Sequence, residues 1–377
     1  MKRWRAIGLL MVVLGLACSR GGAPAPDTPV AEAAPADSIA VEADSLLRTL
    51  TLEEKVGQLF MPAAFTASDP ATVRRLTQYV ADARIGGIVF LKGDTASMHS
   101  LTSRLDRISR MPLIYAIDAE WGLGMRLADA ESFPHNSRLQ GASTEQMYDY
   151  GRRVGLDARR LGLNMVLGPV LDVAPSRNSV MYDRSFGADP ERVASLGTAY
   201  SRGLESTGVM SVAKHFPGHG ATRTDSHKAL PVLSASAEEL KRTDLLPFRE
   251  YIRSGRNDGA GSGIMVGHVA VPALTGDNVP ASVSPVLLSG LLRKEMGFDG
   301  LVMTDAMNMD ALSGSDSRYV QCLLAGADII LVPADTRVAE REVMKAVRSG
   351  VLSREKLDSI CRRILVHKLR SRRHEQQ

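Results

Sequence analysis

The chain has 377 residues, enough for one large α/β domain or two modest ones, and its 44% apolar content suffices for a full core. Aromatic residues make up only 5%, which suits an aliphatic interior. The formal charge of +4 falls to about +1 once Lys2, Arg3 and Arg5 are set aside, which argues against a nucleic-acid binder despite a short basic tail at Arg370-Ser371-Arg372-Arg373.

Residues 1–18 have the anatomy of an export signal: a basic start, an apolar run over 7–16, then small residues. Ala17-Cys18 suggests a bacterial lipobox, in which Cys18 is lipidated and becomes the new N-terminus. Gly15 stands where leucine is usual, and ordinary signal cleavage or an uncleaved anchor are the alternatives. The apolar run is too short for a comfortable transmembrane helix. Residues 19–40 are rich in Ala and Pro and read as a flexible tether. The remaining cysteines, Cys322 and Cys361, imply no disulfide framework, and Cys322 reads as a core residue.

A folded domain is expected over 41–373. It begins with a helical pattern over 45–58, where Leu46, Leu47, Leu50, Val56 and Leu59 recur at helical spacing. Eight short apolar runs then predict strands at 58–63, 87–91, 113–117, 165–171, 209–213, 263–269, 300–303 and 328–332. Amphipathic segments such as 149–160, 190–206 and 284–295 lie between them. Eight alternations of β and α most simply make one (β/α)₈ barrel of the TIM type, a single α/β catalytic domain. No glycine-rich dinucleotide fingerprint follows the first strand, which weakens a doubly wound alternative.

A functional barrel places polar groups where its strands end. The predicted strands end at Lys92, at Asp118 and Glu120, at Asp172, at Lys214 and His215, at His268 and at Asp305. Their starts carry glycine instead, at Gly86, Gly208, Gly263 and Gly300. The richest end is Lys214-His215-Phe216-Pro217-Gly218-His219-Gly220, followed by Asp225-Ser226-His227. Its glycines and proline predict a loop throughout.

Asp305 follows the apolar run Leu301-Val302-Met303-Thr304. That placement suits a rigid, partly desolvated nucleophile; a carboxylate capping the next helix is the plainer alternative. Asp225 and His227, two apart, suit a proton donor whose imidazolium is steadied by a carboxylate. Arg126, Arg184 and Lys214 suit a hydroxyl-rich ligand or an anion, or structural ion pairs. A rival reading makes His215, His219, Asp225 and His227 ligands of zinc or manganese in a hydrolase. Pro217, Gly218 and Gly220 oppose the helix that His-x-x-x-His ligation favours.

Val212 to Gly220, Asp225-Ser226-His227 and Leu230-Pro231 together resemble the bacterial β-N-acetylglucosaminidases of glycoside hydrolase family 3. Supporting segments are Gly168-Pro169-Val170-Leu171-Asp172-Val173, Asp183-Arg184-Ser185-Phe186-Gly187 and Asp299 to Asp305. The resemblance covers most of 45–370. It implies a retaining glycosidase that needs no metal or other cofactor, with Asp305 as nucleophile and His227, supported by Asp225, as acid/base. Asp118, Arg126, Arg184, Lys214 and His215 would hold the sugar. Family β-glucosidases usually carry a second domain with an acidic proton donor; the Asp-x-His loop favours the acetamido-sugar branch. Where the family often has Asp-x-Glu-Gly-Gly-x-Val-x-Arg, this chain has Asp118-Ala119-Glu120-Trp121-Gly122-Leu123-Gly124-Met125-Arg126. Trp121 thus replaces a glycine and serves either sugar stacking or loop packing.

The expected protein is an exported, lipid-anchored enzyme acting on amino-sugar oligosaccharides of the cell wall or elsewhere. Water, or another acceptor such as phosphate, would resolve the glycosyl intermediate. The alternatives are the metal-dependent hydrolase and a non-catalytic sugar-binding envelope lipoprotein.

Overall fold

A computed structural model describes residues 35–65, 70–222, 230–258, 263–308 and 317–376. Cys18, Asp225 and His227 lie outside the described residues. The described residues form nine strands: β1 (Phe60–Met61), β2 (Ala63–Phe65), β3 (Gly87–Lys92), β4 (Ile114–Ile117), β5 (Met165–Val166), β6 (Met210–Phe216), β7 (Gly263–Val266), β8 (Leu301–Thr304) and β9 (Ile330–Leu331). Strands β2 to β8 form one parallel seven-stranded sheet in sequence order, and β1 pairs in parallel with β9. Residues of β3, β6, β7 and β9, with Asp118, Leu167 and Asp305 just beyond β4, β5 and β8, line a common cavity, so the sheet is curled.

The eight predicted strands are all found, with altered bounds. The first is split at Pro62, which has no N–H to donate, although its carbonyl still accepts from Val89 N at 3.0 Å. The run 165–171 keeps only Met165–Val166, because Pro169 again interrupts the ladder. Hydrogen bonds to β6 continue past it all the same: Gly168 O accepts from Val212 N at 2.8 Å, Pro169 O from Lys214 N at 3.0 Å, and Leu171 N donates to Lys214 O at 2.7 Å. The larger correction concerns Lys214, His215 and Phe216, predicted as loop. They complete β6, all seven of whose residues are buried. The turn signals at Pro217, Gly218 and Gly220 belong to the connection beyond β6.

The glycine before β3 is there because neighbouring backbones meet closely. A Cβ on Gly86 would lie 2.0 Å from Gln58 O.

Helices fill the predicted intervals, including Thr144–Arg160 and Pro190–Glu205. Asp189 caps the latter by accepting from Glu191 N and Arg192 N, with Pro190 at its first position. The predicted opening helix is two helices, Pro35–Thr49 and Leu52–Gly57. Thr51 separates them by a reciprocal capping box with Glu54. The first of these begins inside the segment read as tether. It is held by packing: Ala43 and Leu50 share an apolar cluster with Cys361, Leu365 and Leu369 of the last helix, Arg354–Gln376. Arg362 also pairs with Asp44.

The last helix crosses the strand starts. Lys368 Nζ donates to Gln58 Oε1 at 2.7 Å, and Ser371 Oγ donates to Gly208 O at 3.2 Å. The cap therefore sits at the end of the sheet opposite the polar strand termini. Among the described residues, no helix is long and apolar enough to cross a membrane.

Candidate active site

The C-terminal strand ends surround a cavity of about 510 Å³, within the size range of small-ligand sites. Of the residues singled out in the sequence, Asp118, Arg126, Arg184, Lys214, His215 and Asp305 all line it, with Glu120 and His219. Lys92 ends β3 as predicted but stands outside this lining.

Lys214 is 2% exposed and lies 2.7 Å from both Asp118 Oδ1 and Glu120 Oε1. Asp118 also pairs with Arg126, and Glu120 accepts two bonds from Arg184: Nε at 2.8 Å and Nη2 at 2.6 Å. Burial alone would raise both carboxyls. The cations outweigh it: Lys214 and Arg126 hold Asp118 below its ordinary range, and Lys214 and Arg184 do the same for Glu120. Burial would lower Lys214, but its two carboxylates raise it instead. These five groups fix one another through their ion pairs, giving a rigid hydrogen-bonding wall. Tyr150 and Tyr200 brace the segment from behind by donating to the carbonyls of Glu120 and Ala119.

His215 is oriented by Asp172, which is fully buried. The ring Nδ1 lies 2.8 Å from Asp172 Oδ2, and Asp172 Oδ1 accepts from His219 N at 2.7 Å. A carboxylate can only accept, so Nδ1 carries a proton, and Nε2 lies 3.5 Å from Arg184 Nη2. Burial would raise Asp172, but His215 holds it low. The His215 and His219 rings are perpendicular with centroids 6.0 Å apart, and His219 Nδ1 is engaged by Thr222. Among the described residues, no three His, Cys, Asp or Glu side chains converge as metal ligands.

Asp305 follows β8. One oxygen accepts from Ala306 N at 2.8 Å, and among the described residues no helix starts at Asp305 for it to cap. Among the described residues it is the one cavity carboxylate without an ion-pair partner. Burial would raise its pKa, but His215, His268, the Ala306 amide and Lys214 hold it below the ordinary value. His268 is buried behind it: Nε2 donates to Ala306 O at 3.3 Å, which leaves Nδ1 to accept from Ser282 Oγ at 2.8 Å. Burial lowers the His268 pKa, and the nearby Asp305 carboxylate opposes that shift.

Asp244, which the sequence reading passed over, is 4% exposed and packs against Gly218 just after β6. Gly218 has φ +136°, and a Cβ there would stand 2.6 Å from Asp244 Oδ1. That oxygen has no hydrogen-bond partner among the described residues; the other accepts from Thr243 Oγ1 at 2.7 Å. Burial first, then Asp172 and Glu239, pushes this carboxyl up to about 6. The folded state thus binds the Asp244 proton more tightly than the unfolded chain. Its contribution is complete below the unfolded value of 3.8 and is lost as pH rises to about 6. We predict a decline worth up to about 3 kcal/mol over that window. In Asp244→Asn the decline flattens, as read by urea midpoints at pH 4 and 7; an unchanged slope would show that Asp244 titrates normally.

The match to known proteins is extensive. Residues 51–366 match the glycosyl hydrolase family 3 N terminal domain. The chain is similar to the beta-hexosaminidase LpqI of Mycobacterium tuberculosis, at 33% identity over 94% of each chain. It is also similar to a Cellulomonas fimi beta-N-acetylglucosaminidase/beta-glucosidase, at 30% identity, over 84% of this chain and 57% of that one. Among solved structures, a family 3 beta-N-acetylglucosaminidase from Paenibacillus sp. str. FPU-7 superposes with TM-score 0.78 and 35% identity, covering 86% of this chain and 63% of that one. The chain therefore spans less than two thirds of some relatives and nearly all of another. It belongs to glycosyl hydrolase family 3.

Proposed function

We propose that the chain is a retaining exo-β-N-acetylhexosaminidase, exported and anchored through Cys18, with a single catalytic domain over 41–373. The observation that carries this is Asp305: a carboxylate held in its ionised form that has no ion-pair partner among the described residues, in a cavity whose other two carboxylates are both ion-paired. The similarity to hexosaminidases at 30–33% identity supports the acetamido-sugar substrate. Closure of the sheet into a complete (β/α)₈ barrel is part of the same proposal. It is supported by Ile330 N donating to Leu59 O at 2.8 Å and Thr304 N donating to Ile329 O at 3.0 Å, which link β1, β9 and β8.

The proposed chemistry has two steps. Asp305 attacks the anomeric carbon as the glycosidic C–O bond breaks, and the imidazolium of His227 gives its proton to the departing oxygen. His227 then takes a proton from water, which attacks the same carbon and releases Asp305. Lys214, Arg184, Arg126, Asp118 and His215 hold the sugar. Arg126 Nε, which has no hydrogen-bond partner among the described residues, is a donor in reserve. Asp225 steadies His227.

One experiment addresses activity, stereochemistry and anchoring together. Membranes from cells expressing the parent chain are expected to hydrolyse a chromogenic β-N-acetylglucosaminide, with the β-anomer as first product by NMR. Cys18→Ser should move that activity to the soluble fraction. Absence of hydrolysis overturns the enzyme, an α-anomer overturns the mechanism, and unchanged partition overturns the anchor.

A further inference from the structure

The cavity has two chemically different zones. Its floor is charged and deeply buried: Glu120, Lys214, His215 and His219 are each at most 5% exposed. Nearer the opening the lining turns apolar, with Trp121 and Met125 partly exposed and Val180 38% exposed. The indole of Trp121 lies flat against His135, with ring centroids 4.3 Å apart and planes within 10°. One face is thus covered by imidazole while the residue lines the cavity.

The stack is built rather than incidental. Trp121 O accepts from Phe133 N at 2.8 Å, tying together the two loop segments that carry the rings. Gly122 makes the turn after Trp121 at φ +87°, where a Cβ would strike the Phe133 ring at 2.5 Å. Trp121 directly follows Glu120, which grips the Arg184 guanidinium. His135 directly precedes Asn136, whose amide donates to Arg184 O at 2.7 Å. Both rings are therefore moored to the same arginine of the charged floor.

A pocket closed at its floor receives a saccharide by its terminal sugar, so the leaving group points to the opening. We propose that Trp121, held flat by His135, is the leaving-group platform of this enzyme. It stacks on the apolar face of the second sugar or on an aryl aglycone, in contact with the soft side chain of Met125. This rests on the reading that the Asp305 cavity cleaves a terminal amino sugar. It assigns selectivity for the departing group to Trp121 rather than to the charged side chains of the floor.

The test compares two substrates that share the N-acetylglucosaminyl group: the β-1,4 disaccharide and the glycosyl fluoride, whose leaving group is too small to reach the platform. Taking the variant-to-parent ratio of kcat/KM for each substrate removes intrinsic reactivity. For Trp121→Ala the disaccharide ratio is expected to fall about tenfold while the fluoride ratio falls less than about threefold. Trp121→Phe should restore most of the loss, and His135→Ala should fall between. Equal losses on both substrates, or an unchanged disaccharide ratio in folded Trp121→Phe and Trp121→Ala, would overturn the platform and leave Trp121 a packing residue. A parent enzyme that cleaves neither substrate would instead take down the underlying reading, and the platform with it.

Discussion

Asp305→Ala is expected to lower turnover on every N-acetylglucosaminide by roughly 10⁴- to 10⁶-fold, because no leaving group compensates for a missing nucleophile. The fold should survive. Among the described residues the Asp305 carboxylate accepts only from the adjacent Ala306 amide, and the charged wall of Asp118, Glu120, Lys214 and Arg184 closes without it. The depressed pKa sharpens the expectation. A carboxyl held below its ordinary 3.8 is ionised throughout the neutral range, so the parent's activity should show no loss from Asp305 protonation until pH falls below about 4. Its contribution to stability has the same sign, present above 3.8 and lost as pH falls through the folded value. Azide placed in the vacated space attacks from the side opposite the leaving group, so an activated β-glycoside should yield the α-glycosyl azide. A folded Asp305→Ala protein that keeps more than about one hundredth of parent activity on an aryl glycoside would move the nucleophile elsewhere.

The reason Asp305 could be found in the sequence is local. An apolar strand running into a carboxylate is visible in a few consecutive residues, and the structure places that carboxylate in the cavity. The same reasoning found Asp118, Lys214 and His215, since a parallel sheet brings its strand ends together wherever the loops wander. What pairs with what was not legible. Glu120 meets Arg184 across 64 positions, and Asp172 meets His215 across 43. No spacing rule encodes such pairs. Asp244 is a further instance: between two helices it reads as a linker residue, and only packing against Gly218 gives it a role. The motif itself misled about backbone. Three of its residues are strand, because pairing with β7 extends to Phe216 opposite Val266, and glycine and proline signals act only from Pro217 onward. The opening helix failed differently: an Ala/Pro-rich composition suggested tether, while packing against a helix at the far end of the chain decides for helix from Pro35.

His227→Ala should separate the two catalytic steps. His219, upstream of His227 in the sequence, lines the cavity, and Pro231 O, downstream of it, accepts from Ala270 N at 2.9 Å. A nitrophenolate leaves with little help from an acid, so its release from His227→Ala should be only mildly slowed. Deglycosylation then limits, because water has lost its general base, and the steady state should fall by about 10²- to 10⁴-fold. The expected signature is a burst of phenol equal to the enzyme, then a slow phase accelerated by azide, which needs no base. The azide product should now be the β-anomer, opposite to that from Asp305→Ala, since it attacks the glycosyl-Asp305 intermediate. The unactivated disaccharide needs the proton in its first step and should show a large loss with no burst. Asp225→Asn should fall between parent and His227→Ala, weakening support for the imidazolium without removing the ring. If activated and unactivated substrates decline by the same factor, with neither burst nor azide rescue, His227 binds substrate and the proton must come from another group.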